Sequence, residues 1–455
     1  MTPKSKRWLR QGALVAAAFL GGAAVARTSQ ATGERDAPYA PLSQLARVLV
    51  QVENQYVDPV DRQRLLEGAI KGMVAELDPH SAYMPRREFA MFNEDTGGSF
   101  GGIGVEVDFR SGKVVILAPL PGAPAARAGI RSGDELVVVD GKAIGALPAE
   151  AIVRRMRGAP GTRVKVSLRR AGEPELLEFE LVREQVKVRS VEARRLSGDV
   201  AYIRLRQFQS GTHDELIEAV GSLRKTSPEP LRGVVLDLRN NPGGLVDEAE
   251  AVADELLDGG GIYSTRHRGR VLDEANARPG GALARLPMAV LVNEYSASSS
   301  ELVAGALRDS GKAVLVGSPT FGKGSVQTIF ELPGGTGLRL TTMRYYTPSG
   351  QAIQAAGIQP DVEVRYESEA AGTVPVQREG DLDGALASEE TTAASESEPQ
   401  RTSAEVVLAK KRPDLMRFDP VQTDPEQGDD VALQVAWRKV RAPQTAPASA
   451  AKPTR

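Results

Sequence analysis

A multidomain α+β fold is what this chain of 455 residues predicts, on three observations. Near the N-terminus, apolar residues recur at helical spacing. From Gly97, closely spaced glycines open a run of short strands punctuated by turn residues. From about Val186, apolar strands alternate with amphipathic helices, which implies a parallel or mixed sheet with crossover helices. At about 100–200 residues per domain this length suits two or three domains. Hydrophobic residues make up 41% of it, enough to build cores.

Residues 1–26 read as an export signal. Lys4, Lys6, Arg7 and Arg10 form a positive start, Leu14 to Val25 is apolar, and Ala24-Val25-Ala26 fits a small-x-small cleavage site. The apolar run is short for a spanning helix, which needs about 20 residues. Both readings, cleaved signal and retained membrane anchor, place the body in the periplasm or cell envelope. Residues 27–40 then serve as a linker. In the N-terminal helical region, 41–96, Leu42, Leu45, Val48, Leu49, Val52 and Tyr56 mark one helix. Asp61 caps a second, with Leu65, Leu66, Ala69, Ile70 and Met73 on one face, and Asp78-Pro79 ends it. This arm is expected to pack on a neighbour or to form a homodimer through Leu45, Leu49 and Val52.

The small β module spans 97–185, with strands at Val105–Phe109, Val114–Ala118, Glu135–Val139, Val164–Arg169 and Leu176–Val182 and a helix at Ala149–Met156. Over 186–366, strands Val200–Arg204, Gly233–Leu238, Met288–Val292 and Ala313–Val316 alternate with helices Thr212–Leu223, Asp247–Leu257 and Ser299–Asp309. Residues 367–402, rich in Glu, Ser, Ala and Thr, are expected to be a disordered linker. The extension 403–455 holds one expected helix around Ala432, Leu433, Val435, Ala436 and Trp437.

Composition narrows the chemistry. The absence of cysteine excludes disulfides, thiolate nucleophiles and cysteine-bound metals. The three histidines, His80, His213 and His267, have no metal-binding spacing, so no metal or other cofactor is expected. Net charge is −2 and no basic run stands out beyond the leader, so nucleic acid is not an expected partner.

What remains is a serine with a lysine. Ser296, Ser298, Ser299 and Ser300 follow an apolar strand and open a helix. Ser298-x-x-Glu301 is a capping box, sufficient by itself to explain the pattern. A serine there also feels the positive end of the helix dipole, and the free N–H groups that follow can bind an oxyanion. The pattern does not choose among the four serines. Lys323 sits between Gly322 and Gly324, beside Phe321. It could be a solvated loop lysine. It could serve as a base only if burial lowers its pKa from about 10.4 toward neutrality. The run from Asp237 to Gly244, Asp-Leu-Arg-Asn-Asn-Pro-Gly-Gly, is a strand-to-helix turn whose glycines can offer further N–H groups.

Together these segments resemble the C-terminal processing peptidases, or tail-specific proteases, of the serine/lysine type. The likeness spans roughly residues 42–365. It includes Gly68-Ala69-Ile70-Lys71-Gly72-Met73, Leu77-Asp78-Pro79-His80-Ser81-x-Tyr83, Gly101-Gly102-Ile103-Gly104-Val105 and Ala128-Gly129-Ile130-x-x-Gly133-Asp134. The glycine turn, Ser296 to Glu301, and Thr320 to Gln327 complete it. The resemblance implies a PDZ-like β module and a ClpP/crotonase-like α/β protease core. It implies Ser298 as nucleophile, Lys323 as general base, Gln327 as the lysine's orienting group, and the Gly244 and Ser299 amides as oxyanion hole. It also implies that Gly101, Gly102, Ile103 and Gly104 receive the C-terminus of a protein or peptide substrate. An activating adaptor is a further candidate partner, which the sequence leaves open. Asp309 matches an acidic position expected to be structural. The family commonly has alanine where this chain has Ser299. The alternative is a catalytically silent PDZ scaffold that binds envelope proteins, and a crotonase-like acyl-CoA enzyme is a third reading.

Overall fold

A computed structural model describes residues 39–110, 113–145, 147–367, 376–388, 405–410, 412–413 and 423–442. The leader over 1–26, nearly all of the expected linker over 27–40, and residues 389–402 lie outside the described residues. No helix among the described residues is long and apolar enough to cross a membrane.

The chain divides into two units, Met1–Met73 and Val74–Arg455. In the first, helix α1 (Ala40–Gln55) starts with Pro41 in its first turn, where a missing N–H costs nothing. It is followed by α2 (Arg62–Ala75), and Arg62 pairs with Glu53 across the connection. Leu42, Leu45 and Val48 on α1 remain exposed.

The second unit opens with β1 (Ala82–Met84), α3 (Arg86–Thr96) and β2 (Ser99–Gly102). The β module then runs β3 (Val105–Arg110), β4 (Lys113–Pro119), α4 (Pro124–Arg127), β5 (Glu135–Val139), β6 (Lys142–Ala143), α5 (Ala149–Met156), β7 (Arg163–Arg169) and β8 (Leu177–Val182). Its antiparallel order is β3-β4-β5-β7-β8, with β6 on β5. Alternating residues of β7 point inward, Val164, Val166 and Leu168, and meet Ile116, Leu136 and Ile152 in a core of their own. Strand β9 (Glu184–Lys187) leaves the module and pairs with β2.

The remainder is β10 (Val191–Leu196), β11 (Val200–Leu205), α6 (Thr212–Lys225), β12 (Gly233–Asp237), α7 (Val246–Leu256), β13 (Gly260–His267), β14 (Arg270–Ala277), β15 (Met288–Val292), α8 (Ser299–Asp309), β16 (Ala313–Gly317), β17 (Ser325–Leu332), β18 (Thr336–Tyr346), β19 (Val362–Tyr366), β20 (Glu405–Ala409) and α9 (Val431–Arg441). The central sheet has the order β10-β11-β12-β15-β16-β19-β20, parallel except for β10 with β11. Strands β11, β12 and β15 are buried along their whole length. That is why they read as unbroken apolar runs rather than as alternation. Helices α6, α7 and α8 cover one face, and α9 covers the other with Ala436, Trp437 and Val440. Asp237 pairs with Leu291, and Val292 with Gly317, so β12, β15 and β16 end level. The loops that leave them therefore emerge on one edge, where open α/β sheets place their sites.

The mixed α/β architecture, with helical N-terminus, β module and α/β core, is the one the sequence predicts. Three parts differ. The hairpin β13–β14 and the long pair β17–β18 form a second, antiparallel sheet with β1, which apolar runs did not reveal. Strand β20 extends the central sheet beyond the expected helix. And the linker expected to be disordered over 367–402 is not uniform: residues 376–388 fold onto the core, with Glu379 fully buried.

Candidate active site

Three loops converge at the level strand ends. After β12, Leu238 O accepts the Ser296 hydroxyl at 2.8 Å, and Asn241 O accepts the Ala297 N–H at 3.0 Å and the Ser300 hydroxyl at 2.9 Å. Asn240 and Asn293 exchange bonds of 2.9 and 2.7 Å. The loop after β16 joins through Phe321 N–H, which donates to Ser296 O at 3.0 Å.

The four serines are not equivalent in this frame. Ser296, Ser299 and Ser300 are fully buried, and each spends its hydroxyl on a backbone carbonyl, that of Ser299 on Gly244 O at 2.9 Å. Ser298 is half-buried and is held by its backbone instead. Its φ of 56° and ψ of −119° lie outside the regions a non-glycine residue ordinarily occupies. Such a conformation costs on the order of 1–3 kcal/mol and persists only where the surroundings impose it. Here it turns the chain sharply from strand to helix, the geometry that presents a nucleophilic serine at a strand–helix elbow.

Gly243 and Gly244 have φ of 97° and 137°. A Cβ on Gly243 would lie 2.8 Å from the Cβ of Ser298, and one on Gly244 would lie 2.0 Å from Phe208 O. Only glycine lets this turn approach the serine so closely. Among the described residues, no hydrogen bond uses the N–H of Gly244 or of Ser299. Both are free donors beside Ser298.

Glu301 links the serine turn to the lysine loop. Its Oε2 accepts the N–H of Ser298 and that of Lys323, each at 2.9 Å. The two nitrogens therefore lie no more than two hydrogen-bond lengths apart. Its Oε1 accepts the Gly322 N–H at 2.8 Å and the Thr320 hydroxyl. Complete burial pushes the Glu301 carboxyl up to about 7 against these four donors. Sequence reasoning saw only the capping partner of Ser298; a local pattern carries no sign of a contact twenty residues away.

Lys323 is itself largely buried and makes no salt bridge among the described residues. Burial lowers its pKa to about 8, and Arg339 on β18 adds repulsion, while Glu379, Glu301 and Asp78 pull the other way. Gln327 is nearby in sequence, but its amide donates to Ser325 Oγ at 2.9 Å and to Thr341 Oγ1 at 3.4 Å, not to the lysine. Asp309 faces Ser349 N–H at 3.1 Å and neighbouring Arg308, apart from this cluster.

In the β module a cavity of about 230 Å³ is lined by Gly102, Ile103, Gly104, Val105, Val153 and Met156, among others. Among the described residues, no backbone bond outside the ladders uses the N–H of Ile103 or Gly104, which leaves two donors for a carboxylate. Gly101 is not in the lining: it packs on the Gly158 carbonyl, which a Cβ would meet at 2.2 Å.

A strained serine beside unbonded amides and a largely buried lysine is an arrangement suited to acyl transfer. The sequence profile of peptidase family S41 matches residues 199–364, that of the PDZ domain 115–170, and that of the activating protease CtpB N-terminal domain 15–88. A carboxy-terminal-processing protease of Bartonella bacilliformis is 41% identical over 355 residues, 77% of this chain and 81% of that one. A probable CtpA-like serine protease of Staphylococcus aureus strain MSSA476 is 38% identical over 336 residues, 72% of this chain and 66% of that one. A solved photosystem II D1 C-terminal processing protease is 32% identical, covering 70% of this chain and 86% of that one, with a TM-score of 0.45. The chain belongs to peptidase family S41, among its carboxy-terminal-processing serine proteases, and carries their PDZ domain.

Proposed function

We propose that this chain is an exported endopeptidase that cuts proteins near their C-termini with Ser298 as nucleophile and Lys323 as general base. The observation that carries this reading is the shared Glu301 oxygen, which ties a strained serine to a desolvated lysine. Ser298 Oγ attacks the scissile carbonyl as the neutral Lys323 Nζ takes its proton. The Gly244 and Ser299 amides hold the oxyanion. The lysine ammonium returns the proton to the leaving amine. The neutral amine then takes a proton from water as the water oxygen attacks the acyl carbon; the bond to Ser298 Oγ breaks, and the ammonium returns that proton to the serine. Gln327 is the proposed orienting group for the lysine, its amide held by Ser325 Oγ at 2.9 Å.

The PDZ cavity takes the substrate's C-terminal residue, its carboxylate on the Ile103 and Gly104 amides and its apolar side chain against Val153 and Met156. The positive start and apolar run of residues 1–26 support export to the periplasm or envelope, cleaved or tethered. The exposed apolar stripe of α1 supports a homodimer or adaptor contact. The domain divisions at 96/97, 185/186 and 366/367 are proposed as the working boundaries. No metal is used, so activity should survive EDTA; loss in chelator would contradict the scheme. The site assignment is tested with Ser298→Ala and Lys323→Ala on an unstructured protein with an apolar tail. Both should fall to background while still binding the tail.

A further inference from the structure

The lysine loop is held from two sides. Glu301 grips one. The other is gripped by residues 376–388, which lie beyond the last residue of the S41 match. Arg378 Nε donates to Thr320 O at 2.9 Å and its Nη2 to Ala356 O at 3.1 Å. Glu379 N–H donates to Phe321 O at 3.1 Å. The Glu379 side chain is completely buried. Its Oε1 accepts Gln354 Nε2 at 2.8 Å, and Gln354 Oε1 in turn accepts the Gly324 N–H at 3.0 Å. Its Oε2 lies 2.7 Å from His80 Nε2, and His80 O accepts Arg339 Nε at 2.8 Å. Every residue from Thr320 to Gly324 is thus bonded to Glu301, to Arg378, to Glu379 or through Gln354. A carboxylate enclosed this way is costly unless it serves its neighbours.

We propose that Glu379 is a positioning residue for the reaction, carried on a strap formed by residues 376–388 that fixes the Lys323 loop and sets a negative charge beside its amine. This rests on Lys323 acting as the base. The charges that act on the amine are those of Arg339 on β18, Glu301 on α8, Asp78 before β1 and Glu379 on the strap, whose carboxylate reaches the residue next to the lysine through Gln354. Glu379 favours the ammonium, so it keeps the lysine from losing its proton affinity altogether to burial and Arg339. A base that must later protonate the leaving amine needs that balance. The Arg378 and Glu379 backbone contacts hold the loop's carbonyls, and the carboxylate tunes the charge.

The test is the dependence of kcat on pH for the full chain, with an unstructured polypeptide as substrate. For the parent, kcat rises with pH as Lys323 loses its proton. Glu379→Gln keeps the shape and an acceptor for Gln354 but removes the charge. Its midpoint should move to lower pH by about half a unit or more, with KM within about twofold. A variant that merely loosened the packing would let water reach the lysine and move the midpoint upward. The midpoint does not depend on the fraction of molecules folded, so a partly unfolded preparation still gives an answer. Glu379→Ala should also lower kcat about tenfold or more as the loop loses its anchor. A Glu379→Gln midpoint unchanged or raised overturns the proposal. Lys323→Ala separates the two claims. If it retains the parent rate, the base assignment falls. If it is inert while the Glu379→Gln profile superimposes on the parent's, the strap alone falls.

Discussion

As the proposed base, Lys323 meets two demands that oppose each other. Burial makes it a usable base near neutral pH, and the same burial costs stability. Its folded pKa of about 8 lies below its unfolded value. The cost is therefore complete below about pH 8 and shrinks as pH rises toward about 10.4, because only the unfolded chain still binds the proton over that window. Lys323→Met keeps the apolar stem and removes the charge. It should be inactive, yet stabilised at pH 7 by about 2 kcal/mol after discounting for residual solvent contact. Thermal unfolding at pH 7 and pH 10 checks this: the gain should be present at the first and fade at the second. Ser299 makes the opposite case. Its hydroxyl donates to Gly244 O, but its proposed role uses only the amide. Ser299→Ala should cost about 1 kcal/mol of stability and less than about tenfold in kcat. A loss as deep as that of Ser298→Ala would show that the nucleophile was misassigned.

At the scale of elements, what was legible depended on how far each one's neighbours lie in sequence. Strands β12 and β15 and helix α8 announce themselves because full burial on both faces leaves an apolar run and the helix carries its own cap. Strands β17 and β18 do not. Thr328, Thr341 and Thr342 face a polar environment, and Ile329 and Phe330 are exposed, so no apolar run or clean alternation marks them. Residues 376–388 looked unstructured because their order comes from polar side chains, the buried Glu379 and the partly buried Arg378, bonded to a distant loop. Of the proposed site, Ser298, Lys323 and the glycine turn were visible as motifs. The resemblance already singled out Ser298 among the four serines; the local pattern did not, and a backbone angle and the directions of the other three hydroxyls now support that choice. The late helix α9 was visible through its apolar residues, but not its anchorage. Asp430 caps it by accepting Leu433 N–H at 3.0 Å and pairs at 2.8 Å with Arg239, whose other partner is the buried Asp237. Burial raises the cost of that carboxylate, and the paired guanidinium outweighs it, holding the Asp237 pKa below its usual value. Trp437 packs on the sheet and donates to Ser197 O at 2.8 Å. Trp437→Ala should cost about 3–5 kcal/mol in denaturant unfolding, because it opens a cavity on the sheet face opposite helix α8.

For the whole molecule, the PDZ module and the catalytic core have separate hydrophobic cores. Tail capture and bond cleavage should therefore separate in kinetics. Val153→Lys places a charge in the apolar cavity. It should raise KM about tenfold or more for a substrate with an apolar C-terminus and leave kcat at saturation nearly unchanged. A substrate whose C-terminus is amidated should show the same KM defect with the parent enzyme, since the Ile103 and Gly104 amides then meet no carboxylate. The central claim is that one serine and one lysine do the chemistry. Mass spectrometry of products from the parent, Ser298→Ala and Lys323→Ala, each incubated with the same tailed polypeptide, tests it most directly. Cleavage by the parent alone is the expected result. Cleavage at the parent's sites by either variant would contradict the assignment.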